Sequence, residues 1–360
     1  MNPLEHNTLL QNRYLIGQMI GRGGAGEVYL AIDQRIGGPV VMKRTYYAGS
    51  DVLGGGFESE ARALERVRHQ VLPKVTDHFV EQGDQFLVMD FVQGDDLAKR
   101  MAASQKPFPL SWVMFWADQI LDALIYLHSN EPPIFHRDIK PQNLKLTEQN
   151  NVVLLDFGLS QGAVAKLEGR SGVPAQTKPF ASLEQIRGGG TNARSDVYSL
   201  SATLYFLLTG VVPPDAVTRA DAVLGGVSDP LGSPDTINPE VSPAIADVIV
   251  KGMAVSHDQR FADARGMQKA LREAYARIDE PASDKTVVMH EPEPQPTGFE
   301  TLVMPSTSDA QTASPEAAGS AEDMAAKTIP FGMLAPEPET PPAAEFDATV
   351  EEAGAQVPAD

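Results

Sequence analysis

The stretch that decides the fold is His136-Arg-Asp138-Ile-Lys140-Pro-Gln-Asn143, followed by the apolar run Val152-Val-Leu-Leu that ends in Asp156-Phe-Gly158. A carboxylate such as Asp138 can accept or orient the proton of an attacking hydroxyl. The Lys140 ammonium can neutralise a transferring phosphoryl group. The oxygens of Asn143 and Asp156 are ligands that suit Mg²⁺. The two segments therefore predict a site that combines proton transfer with metal binding.

A glycine-rich segment, Gly21-Arg-Gly23-Gly-Ala-Gly26-Glu-Val28, lies near the start of the chain. Glycines let backbone N–H groups approach phosphate oxygens closely. The pattern alone is weak, and in a dinucleotide-binding fold a helix should follow it. Residues 27–32 alternate as a half-buried strand does, which favours a strand–loop–strand lid. A plain glycine-rich hairpin is the alternative.

A lysine ends the apolar run Val40-Val-Met-Lys43. A charge at the end of an apolar strand needs a partner. Glu60, on the intervening helix, is the expected partner. The alternative is a Lys43 side chain that reaches solvent and a Glu60 on an exposed helix face.

The chain changes character once within its folded part. Short extended runs cover residues 14–20, 27–32, 40–44 and 86–92, with a helix at about residues 56–67, and helical patterns dominate after Asp95. This order predicts an α+β fold with a small sheet-rich lobe, a larger helical lobe and a cleft between them. We assign residues 1–12 to a leader, 13–92 and 93–278 to the two lobes, and 279–360 to a tail.

Composition excludes several classes of protein. The 360 residues contain no cysteine, which excludes disulfide scaffolds and thiolate metal sites, and the net charge of −19 argues against nucleic-acid binding. From residue 281 onward there are 15 acidic and 2 basic residues with 12 prolines, a composition that predicts disorder. The first twenty residues lack a continuous apolar run, and the apolar stretch 197–212 is too short for a membrane span. We expect a cytoplasmic protein.

Taken together, these motifs resemble those of bacterial eukaryotic-like (Hanks-type) protein serine/threonine kinases, in the same order, from about residue 13 to 278. The resemblance implies a two-lobed kinase fold that uses ATP and Mg²⁺. It assigns Asp138 as the catalytic base, Lys140 to the γ-phosphoryl group, and Asn143 and Asp156 to Mg²⁺. It further implies that Lys43 contacts the ATP phosphates and pairs with Glu60. The residues implied around the nucleotide are Gly21, Gly23, Gly26, Val28, Val41, Met89 as gatekeeper, and Asp90 to Val92 as the hinge.

The resemblance also implies structural contacts and a substrate class. Glu184 should pair with Arg260, and Asp196 should anchor the catalytic loop. The serine/threonine pattern has a lysine two residues after the base, which is Lys140 here. It also has a threonine that helps hold the base, which is Thr177 here. Four residues depart from the family, of which Leu183 replaces the proline of Ala-Pro-Glu and Ser201 replaces a usual glycine. Val41 replaces a usual alanine over the adenine, and Lys145 stands where an apolar residue often lies beneath it.

Regulation is expected in the activation segment, residues 156–184. In the family an arginine such as Arg137 is often paired by a phosphate there, so we expect phosphorylation of Ser171 or Thr177. The alternative is a segment that is always ordered.

In the tail, four threonines each precede a β-branched or leucine residue, and they are Thr286, Thr301, Thr328 and Thr349. This repeat predicts recruitment of a phosphothreonine-binding (forkhead-associated) domain after autophosphorylation. A passive solubilising tail is the alternative.

Two other functions remain open at this stage. One is a pseudokinase scaffold that recruits partners through the tail, against which the full set of Lys43, Glu60, Asp138, Asn143 and Asp156 argues. The other is a small-molecule kinase with a similar core. Lys140, Thr177 and the Glu184–Arg260 pair favour protein substrates.

Overall fold

The computed structural model describes residues 2–23, 26–45, 51–157, 173, 175 and 177–278, with only the backbone for residues 51–56. Within these ranges a sheet-rich N-lobe precedes a helical C-lobe, which confirms the predicted α+β, two-lobed architecture. The predicted tail, with its four threonines, and most of the activation segment, with Ser171, lie outside the described residues.

The N-lobe contains one antiparallel sheet with the strand order β1-β2-β3-β4-β6-β5. Its strands are β1 (Leu9–Leu10), β2 (Tyr14–Gly23), β3 (Gly26–Asp33), β4 (Gly38–Thr45), β5 (Val75–Glu81) and β6 (Asp84–Asp90). The four strands predicted from the sequence are β2, β3, β4 and β6. The sequence did not predict β5, because the polar run Thr76-Asp-His78 interrupts its apolar residues.

Strand β3 has the predicted alternation, but its fully buried face includes a charged residue. Glu27, Tyr29 and Ala31 are at most 1% exposed, whereas the aliphatic residues between them are half-buried or exposed. Glu27 can be buried because its Oε2 accepts hydrogen bonds from the Tyr29 hydroxyl at 2.6 Å and from Arg44 at 3.1 Å. The other face of β3, with Val28, therefore remains for the cleft.

Residues 2–12, which the sequence assigned to a leader, pack onto the sheet. Leu10 in β1 is 2% exposed and pairs with β2. The backbone N–H of Leu4 donates to the Tyr29 hydroxyl at 2.8 Å, and the Asn2 carbonyl accepts from Arg44 at 3.0 Å. This segment is therefore part of the N-lobe, which corrects the proposed boundary at residue 13.

Helix α1 (Asp51–Arg66) connects β4 to β5 and packs against β5. Its buried side is the predicted one, with Phe57, Ala61 and Leu64 at most 9% exposed. The helix begins five residues earlier than predicted. Its first turns include three consecutive glycines (54–56), whose low helix propensity disfavours a helix there. Packing of the later turns outweighs that local preference.

In its described residues the C-lobe consists of helices with two short strands and three 3₁₀ turns. The helices are α2 (Leu97–Ser104), α3 (Leu110–His128), α4 (Leu183–Ile186), α5 (Ala193–Thr209), α6 (Ala216–Leu224), α7 (Pro234–Ile237), α8 (Pro243–Gly252) and α9 (Ala264–Ala276). The strands β7 (Leu144–Leu146) and β8 (Val152–Leu154) pair with each other, and the 3₁₀ turns are Pro141–Asn143, Lys178–Phe180 and His257–Gln259.

Two apolar helices, α3 and α5, form the centre of the C-lobe. Among the described residues, α3 alone has the length and mean hydropathy of a membrane span. Its predicted stripe, however, lies in the protein core, with Trp116, Ile120 and Leu124 fully buried against α5 and α9. Helix α5 is the buried helix predicted from the apolar stretch 197–212. It ends at Gly210, whose φ of 71° suits glycine.

Candidate active site

Strand β4 separates the N-lobe core from the cleft. Val40, Met42 and Arg44 are buried beneath the N-terminal segment, whereas Val41 and Lys43 are only half-buried and lie on the opposite face. Val28 of β3 lies opposite Lys43, and Met89 of β6 lies opposite Val41. Residues at opposed positions share a face of the sheet. The structure thus brings Val28, Val41, Lys43 and Met89 together on the cleft side.

The catalytic loop is built around Asp138. The Lys140 ammonium lies 3.0 and 2.8 Å from the two carboxylate oxygens of Asp138. The Asn143 amide donates to the Asp138 carboxylate at 2.9 Å and to its backbone carbonyl at 2.7 Å. The turn Pro141–Asn143 makes this possible, because it returns the chain so that the amide faces the carboxylate five residues earlier. Three of the predicted catalytic and metal residues therefore form one contact network.

Thr177 joins this network from a distant part of the chain. Its hydroxyl accepts a hydrogen bond from the Lys140 ammonium at 2.9 Å, and the residue is 3% exposed. The sequence-based expectation that Thr177 helps hold the base matches this contact. The alternative expectation, that Thr177 is a phosphorylation site, does not suit a buried hydroxyl already bonded to a catalytic side chain.

Asp156 lies two residues beyond the end of β8, beside the catalytic loop. The Leu155 N–H donates to the Asn143 carbonyl at 2.7 Å, which fixes the two candidate metal ligands relative to each other. Burial works to raise the pKa of the Asp156 carboxyl, but the Lys43 ammonium bonded to it outweighs burial and holds the pKa below its ordinary value. The backbone φ of Asp156 is +67°, a strained value for a non-glycine residue that is common at functional positions.

The donors present suit magnesium. Asp156 supplies a carboxylate and Asn143 supplies an amide oxygen, since its amide nitrogen is already used on Asp138. Mg²⁺ prefers such hard oxygens and typically takes one or two protein ligands together with water and phosphate. The described residues contain no group of three or more His, Cys, Asp or Glu side chains that could by itself hold a metal ion. A metal held here would therefore depend on substrate phosphates for further ligands.

The predicted ion pair between Lys43 and Glu60 is not formed. Lys43 instead contacts the Asp156 carboxylate and the Phe157 carbonyl, the latter at 3.1 Å. Glu60 binds the guanidinium of Arg137 at 2.7 Å. Burial raises the pKa of the Glu60 carboxyl above its ordinary value, with Arg137 opposing that shift. The prediction was wrong because Lys43 and Glu60 each bind a different charged side chain that lies far away in sequence.

Arg137 thus connects the catalytic loop to the N-lobe. Its Nε also donates to the Thr191 hydroxyl at 3.1 Å, and its backbone φ is +71°. The sequence predicted a regulatory role for Arg137 through a phosphate, and the structure places its side chain on Glu60 and Thr191 instead. The residues expected to carry that phosphate are outside the described part, apart from Thr177.

The expected structural contacts are present. The Asp196 carboxylate at the start of α5 accepts hydrogen bonds from the backbone N–H groups of His136 and Arg137, both at 2.9 Å. Arg260 binds Glu184 at 2.7 and 3.1 Å. Burial opposes the ionisation of Glu184, but Arg260 and the Ser195 hydroxyl lower its pKa to about 2. Both contacts fix the catalytic loop and the end of the activation segment to the C-lobe core.

The two strands of the predicted lid, β2 and β3, are present and paired, and residues 24–25 between them lie outside the described residues. Only Gly26 among its described glycines has no room for a side chain, because a Cβ there would lie 2.0 Å from the Arg44 carbonyl oxygen. At the other end of the cleft, the Lys145 ammonium donates to the Val92 carbonyl of the hinge at 2.9 Å. Asp90 is exposed at the end of β6, with its backbone N–H bonded to the Lys74 carbonyl.

Three supporting residues were missed. His128 contacts Asp196 at 2.9 Å, Gln185 donates to the Arg137 carbonyl at 2.9 Å, and Thr191 binds the Arg137 side chain. Ser182 and Gln185 have the spacing of a helix-capping box, which could have located α4. None of the three long-range contacts leaves a local signal in the sequence.

Comparison with known proteins identifies the family. The model of the protein kinase domain matches residues 14–276. The chain is 31% identical to the serine/threonine-protein kinase PknL of Mycobacterium tuberculosis, over 74% of this chain and 66% of PknL. It is 28% identical to PrkC of Bacillus subtilis, over 74% of this chain and 41% of PrkC. The chain thus spans just under two thirds of the first relative and less than half of the second.

Solved structures show the same fold. The kinase domain of Mycobacterium tuberculosis PknI aligns with a TM-score of 0.59 and 24% identity, covering 76% of this chain and all of that domain. The segment 1–466 of Rad53 in complex with AMP-PNP aligns with a TM-score of 0.57 and 22% identity, covering 72% of this chain and 64% of that segment. With the domain match and the curated relatives, these findings show that the chain belongs to the protein kinase family, among the bacterial Hanks-type serine/threonine kinases.

Proposed function

We propose that this chain is an ATP-dependent protein kinase that transfers the γ-phosphoryl group of ATP to serine and threonine hydroxyls of proteins. The observation that carries this proposal is the network in which Asp138 is held between Lys140 and Asn143, beside the Lys43–Asp156 pair. A base, cations and oxygen ligands for a metal are the groups that this transfer requires. The named kinase activity of the relatives supports the same reaction and gives no support to a pseudokinase scaffold.

The chemistry follows from the roles of these side chains. The substrate hydroxyl oxygen forms a bond to the γ-phosphorus as the bond to the bridging β,γ-oxygen breaks, and Asp138 accepts the hydroxyl proton. Lys140 lies against Asp138 and offsets charge on the transferring group. Mg²⁺, when bound through Asn143 and Asp156, would neutralise phosphate charge. Lys43 exchanges its contact with Asp156 for the ATP phosphates.

ATP as the phosphoryl donor is supported by a structural neighbour. Rad53, which shares this fold, is in complex with AMP-PNP, a nucleotide analogue. In this proposal the glycine lid formed by β2 and β3 covers the ATP phosphates next to Val28 and Lys43, which lie opposite each other on paired strands. Serine or threonine as the acceptor is supported by the Lys140–Thr177 hydrogen bond, which belongs to the serine/threonine pattern.

A radiolabel assay tests the proposal. The full chain is incubated with Mg²⁺ and γ-labelled ATP, alone or with a protein acceptor, beside the variant Asp138→Asn. We expect label on phosphoserine or phosphothreonine of the wild type and at least about a hundredfold less in the variant. Equal label in both proteins, no label in either, or label only on a small metabolite would contradict the proposal.

We further propose that the kinase phosphorylates its own activation segment at Ser171 and its own tail. The support for tail phosphorylation is the fourfold recurrence of a threonine before an aliphatic residue in acidic sequence, at Thr286, Thr301, Thr328 and Thr349. Phosphothreonine there would recruit a forkhead-associated domain. Mass spectrometry of the active enzyme should find these phosphates. A variant with all four tail threonines replaced by alanine should lose forkhead-associated partners in pull-downs, and an unchanged partner profile would reject the recruitment.

A further inference from the structure

Lys145 occupies an unusual place for a charged side chain. It lies in β7 between Leu144 and Leu146, which are 0% and 2% exposed and point into the C-lobe core. Because side chains alternate along a strand, Lys145 points the other way, toward the hinge. Its ammonium donates to the Val92 carbonyl at 2.9 Å and lies 5.7 Å from the centre of the Phe91 ring.

The surroundings of the Lys145 ammonium bury it only in part and include charges of both signs. The Lys145 side chain is half-buried, and Lys99 is a second cation near it. The carboxylates of Asp95 and Asp96 are also near it, and the Lys145 backbone forms an isolated bridge with Asp96. The Lys145 side chain is therefore a half-buried cation whose hydrogen bond in the described residues goes to the hinge carbonyl.

The base end of the cleft lies beside this contact. Val41 faces the cleft from above, and its register partner Met89 leads into the hinge segment 90–92. The kinase resemblance assigns this hinge to the adenine base, and the Lys145 ammonium is bonded to a hinge carbonyl, so a base bound against the hinge would lie next to the Lys145 side chain. It can do so only by displacing the ammonium from Val92 or by burying the ammonium further, and both changes cost free energy.

We propose that Lys145 is an affinity-determining residue for the nucleotide: its ammonium holds the hinge carbonyl of Val92 and so weakens binding of the adenine base. This inference rests on the proposed function, because it concerns the ATP site of that reaction. It predicts that an apolar side chain of similar length at position 145 binds adenine nucleotides more tightly. The effect falls on nucleotide binding and on KM for ATP, since none of the contacts described for Lys145 involves the Asp138 network.

Calorimetric titration of the full chain with Mg-ADP tests this directly. Lys145→Met keeps the length of the side chain and removes the charge, and we expect its Kd to be about tenfold lower than that of the wild type. Lys145→Leu serves as a second apolar variant if the first does not fold. Lys145→Arg keeps the charge and should bind as weakly as the wild type.

Lys99→Met is the matched control. It removes another lysine near Lys145, yet the Lys99 side chain is 72% exposed and its ion-pair partner is Asp96. Its Kd should equal that of the wild type, and an equal gain in Lys99→Met would assign the effect to net charge and overturn the inference. If the wild type binds Mg-ADP and the apolar variants bind it no more tightly, the inference is overturned, and the kinase assignment is not affected. Failure of the wild type to bind any nucleotide would overturn the kinase assignment as well.

Discussion

At the scale of single residues, a catalytic side chain can be held in place by a residue that does not itself react. Lys140 illustrates this, because its ammonium is shared between the Asp138 carboxylate and the Thr177 hydroxyl. Such shared donors fix a long, flexible side chain in one position. Thr177 is therefore a positioning residue whose effect should be visible in kcat.

Replacing Thr177 tests this role. In Thr177→Val the shape of the side chain is kept, but the acceptor for the Lys140 ammonium is lost. A hydrogen bond to a charged group contributes about 1.5–3 kcal/mol, so we expect kcat to fall by about tenfold or more with little change in KM for ATP. Thr177→Ser keeps the hydroxyl and should retain most of the wild-type kcat. Wild-type turnover by Thr177→Val in steady-state assays would refute the positioning role.

At the scale of elements, the lid depends on a close approach between β3 and β4. Gly26 lies opposite Thr45, next to the Arg44 carbonyl, and the space there admits no Cβ. Gly23, at the end of β2, has no atom within 4 Å of the position that a Cβ would take. The two glycines of one hairpin therefore differ in what they tolerate.

Alanine substitution separates the two positions. Gly26→Ala forces β3 away from β4 and should lower the free energy of unfolding by about 1–3 kcal/mol. Gly23→Ala, the matched control, should leave the free energy of unfolding within about 0.5 kcal/mol of wild type. Denaturant unfolding followed by circular dichroism measures both. Equal free energies of unfolding in the two variants would show that the close approach of β3 and β4 at Gly26 does not affect stability.

At the scale of the whole molecule, buried ion pairs join distant parts of the C-lobe. Glu184, at the end of the activation segment, binds Arg260, which lies between α8 and α9. The side chain of Arg260 is fully buried, and that of Glu184 is 18% exposed. A pair this well shielded from water should make stability depend on pH.

The sign of that dependence follows from the pKa of Glu184. Burial opposes ionisation, yet Arg260 lowers the pKa from 4.5 to about 2 in the folded protein. The folded state thus binds fewer protons than the unfolded state, and the stabilisation is complete above pH 4.5 and lost as the pH falls toward 2. The shift corresponds to about 3 kcal/mol. Glu184→Gln should lower stability most above pH 4.5, and a gap in Tm that stays constant down to pH 3 would contradict this.

The sequence predicted the fold and much of the site, because both rest on local patterns. The apolar stripe of α3 and the sequence from His136 to Asn143 can be interpreted without long-range information. The partner of Lys43 could not be predicted in this way. The expected partner was Glu60. The actual pairing depends on whether Asp156 lies close to Lys43 and Arg137 lies close to Glu60, and each of these partners is more than 75 residues away in sequence from the group it binds.

The most direct test of the account is the Mg²⁺ dependence of nucleotide binding. Calorimetry with ADP, with and without Mg²⁺, compares the wild type with Asp156→Asn, and Asp90→Asn is the control because Asp90 is an exposed hinge carboxylate. We predict that Mg²⁺ lowers the Kd of the wild type and of Asp90→Asn by about tenfold or more, and that Asp156→Asn loses this gain. Full Mg²⁺ enhancement in Asp156→Asn would contradict the account.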